Sequence, residues 1–125
     1  MGGQRMPPLW KLSLDGRQAQ ALQPWLRAGQ VRIRELLRDP EDRDEVLSTV
    51  PLLLLRGGET TLGPEPATVL APDDELLFVG EAEARRAMET TALVEAAARY
   101  VVTGEVVPDV WIWREVARRW RARRR

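Results

Sequence analysis

The sequence predicts an α+β fold: a small, largely antiparallel sheet with short helices, followed by two C-terminal helices. Three observations predict it. Short apolar runs of strand length, separated by turn residues, fill positions 9–80. From Glu81 the apolar period changes to three and four, with Ala84, Ala87, Met88, Thr91, Val94, Ala98 and Val101 on one face. Farther on, Trp113, Val116, Ala117 and Trp120 repeat the helical spacing behind Asp109, an N-cap residue type.

Taken in order, residues 1–8 form a flexible lead into Pro7-Pro8. Leu9 to Leu14 alternates, with Trp10, Leu12 and Leu14 on one side, and Asp15-Gly16 ends it as a half-buried strand. Ala19 to Ala28 carries Ala21, Leu22, Trp25 and Leu26 at helical spacing. Pro24 interrupts that helix, and Gly29 lies just past its end. Val31, Ile33 and Glu35 alternate with Arg32 and Arg34, which predicts a second strand with one arginine-bearing face. The run from Asp39 to Glu45 is charged almost throughout and reads as an exposed loop or a single helical turn. Leu52 to Leu55 reads as a central strand buried on both faces. Arg56-Gly57-Gly58-Glu59 is a turn, and 61–66 is extended.

Positions 68–80 read TVLAPDDELLFVG. Pro72 fixes φ, and Asp73 or Asp74 can bond the local backbone, so a turn feeds the apolar strand Leu76–Val79, which Gly80 closes. Next comes one amphipathic helix over 81–103, about six turns long, stopping before Gly104. Val106-Val107-Pro108 links it to the Trp/Arg-rich segment 109–125. The organisation expected is a lobe at 9–80, a helix at 81–104 packed on that lobe or on a dimer mate, and the C-terminal helix and tail.

At 125 residues, with 44% hydrophobic and 30% charged positions, the chain is of single-domain size and ordinary globular composition. It has neither cysteine nor histidine, which removes disulfides, thiolate chemistry and the commonest general base. One lysine (Lys11), one tyrosine (Tyr100) and two serines (Ser13, Ser48) leave little for nucleophilic catalysis, so no enzyme, catalytic residue or cofactor is expected. Asp73-Asp74-Glu75 reads as a turn whose acids stay in water rather than as an acid/base pair. The acids at 39–45 lack the central glycine and the closing glutamate of a calcium loop, so no metal site is expected. No stretch approaches membrane-spanning length and no signal-peptide pattern opens the chain, which points to the cytoplasm. The net charge is zero but uneven. Trp111–Arg125 holds seven arginines and one acid, while residues 1–110 hold 12 basic and 18 acidic side chains.

The middle of the chain resembles a known family. Arg56, Gly57, Gly58, Pro64 or Pro66, Thr68, Val69, Leu70, Pro72, Leu76, Leu77, Val79 and Gly80 fall in register with the closing signature of TrkA-C domains, the C-terminal lobes of regulator-of-K⁺-conductance (RCK) modules. Asp73 stands where that family usually has a turn glycine. The match spans about 9–80 and is densest over 50–80; the stretch 30–49 is longer and more charged than is usual there. Tyr100–Gly104 and Trp111–Arg114 also resemble the C-terminus of bacterial ion-channel proteins that carry such modules.

The resemblance implies a non-enzymatic, cytoplasmic regulatory lobe of a potassium channel or K⁺-uptake system. It implies a homodimer, a partner Rossmann-type nucleotide-binding lobe, a membrane channel or transporter in the parent protein, and a small nucleotide-type or ionic effector. No G-x-G-x-x-G fingerprint is present, so the chain reads as the C-terminal piece without the nucleotide lobe.

Arg32, Arg34 and Arg56 are the candidate ligand residues, because guanidinium matches phosphate and carboxylate geometry. The alternative reading of those arginines is the solvent side of a sheet. Trp111, Trp113, Trp120, Arg118 and Arg121 are candidates for membrane or partner contact, either docked on the domain or a dimer mate or set against anionic lipid. No nucleic-acid-binding signature accompanies the charge, and no nucleic-acid partner is expected. Ala84, Ala87, Ala97 and Ala98 suit either a dimer seam or packing on the sheet. The functional rival is a ligand-free structural module whose tail contacts a membrane or a partner.

Overall fold

The computed structural model describes residues 8–106. Strands β1 (Leu9–Ser13), β4 (Thr49–Arg56), β5 (Glu59–Leu62) and β6 (Glu75–Gly80) form an antiparallel sheet in the order β1-β6-β4-β5. A separate hairpin pairs β2 (Arg38–Asp39) with β3 (Asp42–Val46). The helices are α1 (Gln23–Arg27), α2 (Ile33–Leu36), α3 (Ala82–Leu93) and α4 (Glu95–Thr103), with a 3-10 turn at Gln20–Leu22 before α1. The fold is α+β, as the periodicities predict.

The core lies on one face of the sheet. Trp10 pairs with Phe78, and Leu12 and Leu54 with Leu76, all on the covered face. The Trp10 and Phe78 rings stack with centroids 5.6 Å apart. Leu22, Leu26, Ile33, Leu36, Met88 and Ala98 from the helices complete this cluster. Pro51, which has no N–H for the ladder, sits where the β4–β6 register shifts, as proline in an inner strand requires. The Arg56–Glu59 turn is a tight hairpin, with Gly57 and Gly58 at φ of 54° and 82°.

Several expectations need correction. The strand predicted through Val31, Ile33 and Glu35 is a single bridge, Arg32 to Val69, followed by helix α2. Ile33 and Leu36, three residues apart, are both fully buried, and the Glu35 carboxylate accepts the Arg32 N–H at 3.0 Å, capping a helical turn that alternation alone disguised. The charged run 39–45 is not a loop or helical turn but mostly the β2–β3 hairpin. Leu52–Leu55 is not buried on both faces: in β4 only Leu54 is buried, because helices cover one side of the sheet.

The long helix predicted over 81–103 breaks at Val94, whose backbone is extended (φ −107°, ψ 116°). The break turns α4 so that Ala97, Ala98, Tyr100 and Val101 are buried. Gly104 ends α4 in the left-handed conformation, the C-cap that its position in the sequence predicts. Ala84, Ala97 and Ala98 are buried within this chain's own fold, which favours packing over a seam for those three. The interrupted first helix matches its expectation, with Pro24 in the first turn of α1. The predicted C-terminal helix, with Trp111, Trp113, Trp120, Arg118 and Arg121, lies outside the described residues.

Candidate functional site

Three surfaces on this frame hold chemistry. The first is a strap, residues 66–74, that crosses from the end of β5 to the start of β6. Its backbone is held by the segment around α2: Ile33 N–H donates to Thr68 O at 3.1 Å, Arg34 N–H to Pro66 O at 3.0 Å, and Leu70 N–H to Val31 O at 2.8 Å. Asp73 takes φ of 70° there, the conformation for which a turn glycine is ordinarily used and which aspartate tolerates better than most residues.

Asp74 is the strap's anchor. It is 1% exposed, and Arg56 grips it with two bonds, Nε to Oδ1 at 2.8 Å and Nη2 to Oδ2 at 2.6 Å. Oδ2 also accepts the Ala71 N–H at 2.8 Å, and Arg56 Nη2 donates to Val69 O at 2.9 Å. A buried carboxylate without such partners would be strongly unfavourable. The hydrogen bond to Asp74 pushes the Arg56 guanidinium above its ordinary value. The expectation that the acids of 73–75 stay in water holds for Asp73 alone. Glu75 pairs with Lys11 at 3.1 Å, and Asp74 is sealed inside.

The three candidate ligand arginines meet at this strap. Arg32 bridges to Val69, Arg34 bonds Pro66 through its backbone, and Arg56 bonds Val69 through its side chain. Their charges are not equivalent. Arg56 is committed to Asp74, and Arg34 contacts Glu35 at 3.4 Å with half its side chain exposed. Arg32 has no ion pair among the described residues.

The second surface is the uncovered face of the sheet. Leu9 and Lys11 of β1, Leu77 and Val79 of β6, Val50, Leu53 and Leu55 of β4 and Leu62 of β5 share register on it. Leu9 is 52%, Val50 57% and Leu62 77% exposed. A solvated sheet face ordinarily carries polar residues, whereas this one has aliphatic residues on all four strands, with Lys11, Thr60 and Glu75 as polar positions beside them. The sequence signal existed in the unbroken Leu52–Leu55 run, but it reads equally as a strand buried within one chain.

The third surface is a groove of about 480 Å³ between the β2–β3 hairpin and helices α3 and α4. Val46 and Leu47 supply one wall, and Ala84, Ala87, Val94 and Ala97 the other. Asp39, Glu41, Glu81 and Glu83 rim it, against one cation, Arg86. The hairpin is fixed to α4 by Arg43, whose N–H donates to the Tyr100 hydroxyl at 3.0 Å and whose Nη2 donates to Val101 O at 3.2 Å. No cluster of acidic residues capable of holding a metal ion occurs among the described residues. No helix among them is long and apolar enough to cross a membrane.

Comparison with protein families finds no matching family, and comparison with curated proteins finds no match. Among solved structures, the chain is similar to the RCK_C domain dimer of S. agalactiae BusR in complex with c-di-AMP. The identity is 14% and the TM-score 0.42, over 77% of this chain and 99% of that one. It is similar at the same identity and TM-score to S. agalactiae BusR in complex with its busAB-promotor DNA, over 76% of this chain and 40% of that one.

Proposed function

We propose that this chain is a non-enzymatic regulatory lobe that dimerises and binds a small anionic effector, as part of a bacterial potassium channel or K⁺-uptake system. The observation that carries the reading is the uncovered aliphatic sheet face. A strand such as β4, apolar on both sides but covered on one, has a face that a second copy of the same surface would bury. Lys11 and Glu75, the charged pair on that face, already neutralise each other. The resemblance of residues 56–80 to TrkA-C lobes supports the same reading, since such lobes pair.

The effector would lie against the strap, with Arg32 as its main cationic contact and Arg34 beside it. Arg56 holds the strap in shape through Asp74. A ligand that favours one arrangement of two lobes over another shifts the population between them, and in the parent protein that shift would move a gate on the membrane side. A thermal-shift screen against nucleotides, cyclic dinucleotides and divalent cations tests this. One effector class is expected to raise the melting temperature saturably, because it binds only the folded state. Arg32→Ala is expected to lose the rise while melting normally without ligand. A chain that responds to none of them, or an Arg32→Ala variant that responds as the parent does, would defeat the ligand assignment.

A further inference from the structure

The groove between the hairpin and the α3–α4 pair has apolar walls and an acidic rim, and nothing in the proposed dimer or effector site uses it. Glu81 and Glu83 make no ion pair among the described residues, and Val46 and Val94 are 73% and 47% exposed within it. We infer that this groove is the docking site of the chain's own segment Trp111–Arg125.

Three observations select that occupant. The first is charge: Glu81 and Glu83, which have no ion pair among the described residues, line the groove, while the segment carries seven arginines and one acid. Anionic lipid and nucleic acid would be repelled by the same rim. The second is apolar content. Trp113, Val116 and Trp120 recur at helical spacing in the segment, and a cavity of about 480 Å³ with aliphatic walls can receive an indole. The third is where the described chain ends. Gly104 lies against the Arg43 side chain, and Arg43 belongs to β3, the strand whose Val46 lines the groove. Residues 107–112 can span up to about 20 Å when extended, and so short a tether gives an effective concentration on the order of millimolar. That favours the chain's own segment over the same segment of a second copy.

The test uses the full chain, which has no cysteine of its own. Ala122→Cys carries a nitroxide label, and amide signals are followed in the ¹⁵N-labelled protein. The signals of Val46, Ala84 and Ala87 are expected to be lost to broadening, and to return when Arg118, Arg119 and Arg121 are reversed to glutamate. Glu81→Lys with Glu83→Lys should release the segment too, and combining both sets of reversals should restore the broadening. Broadening elsewhere on the domain, or none at all, would overturn the inference, as would groove broadening that survives either set of reversals. Equal broadening when spin-labelled, isotopically unlabelled chain is mixed with ¹⁵N chain lacking the label would assign the groove to a second copy and overturn the intrachain docking. Segment release by anionic vesicles alone, with the charge reversals inert, would assign the segment to a membrane surface instead.

Discussion

The two acidic runs of this chain, Asp73–Glu75 and Asp39–Glu45, look alike in sequence and end in opposite environments. In the first, Asp74 is sealed in the fold by a guanidinium reaching across from residue 56. In the second, the carboxylates sit on a hairpin, and two of them, Asp39 and Glu41, line a groove whose lining cation is Arg86. What separates them is topology rather than composition. Antiparallel pairing of β4 with β6, Leu55 opposite Glu75, sets Arg56 beside Asp74 at the start of β6, while the cation among the groove's lining residues is Arg86. A buried acid therefore reports a fold contact, whereas an acid on a groove wall carries no such constraint.

The largest effect should come from breaking the first region. Arg56→Ala leaves Asp74 buried without its cation and should destabilise the domain by about 3 kcal/mol, read from urea denaturation midpoints. Asp74→Ala in the same background should recover part of that loss, because the stranded charge is gone. If Arg56→Ala behaves like an ordinary surface change, the lock is not structural and the contrast between the two runs collapses.

The joint between the regions comes next. A Cβ on Gly80 would lie against Ser48 O and 2.7 Å from Thr49 Cα, both main-chain atoms, and Ser48 lines the groove. Gly80→Ala should cost about 2 kcal/mol in thermal or chemical unfolding. A neutral result would show that the joint has slack.

Much of this was legible in the sequence and some was not. Strand β1, the Gly57-Gly58 turn, strand β6 and the stop at Gly104 all announce themselves through local residues whose effect is short-ranged. Helix α2 was hidden because Val31, Ile33 and Glu35 fit a period of two as well as one helical turn, and the deciding capping bond of Glu35 is a structural fact. The break at Val94 was hidden because the apolar spacing runs through it unchanged. At the candidate site, Arg32, Arg34 and Arg56 were singled out for their chemistry, but the commitment of Arg56 to Asp74 depends on contact between residues 18 positions apart. The groove was not legible at all, since its walls come from a hairpin and two helices that the sequence places in one loop and one helix.

A third kind of acid sharpens the contrast by pH. Asp15 is half-buried, and its carboxylate accepts the backbone N–H groups of Gln18 at 2.7 Å and Arg17 at 2.9 Å. These bonds lower its pKa, Gln18 contributing most. The folded pKa lies below the unfolded one, so its contribution is complete above the unfolded value and is lost as pH falls through the folded one. Asp15→Asn should flatten stability against pH across that acidic window, and an unchanged curve would remove Asp15 as a contributor.

The smallest effect belongs to the groove rim. Glu83→Gln, at an exposed position, should change stability by no more than about 0.5 kcal/mol while weakening attachment of the arginine-rich segment. A large loss of stability would mean that Glu83 serves the fold as Asp74 does.

Pairing through the uncovered sheet face is tested by the mass of the full chain in solution by sedimentation velocity, measured beside Leu62→Glu. Leu62 is 77% exposed, so the substitution leaves the fold of a single chain intact. The parent is expected to have the mass of two chains and Leu62→Glu that of one, with matching circular dichroism spectra. A monomeric parent, or a variant that still pairs, would contradict dimerisation through the uncovered sheet face.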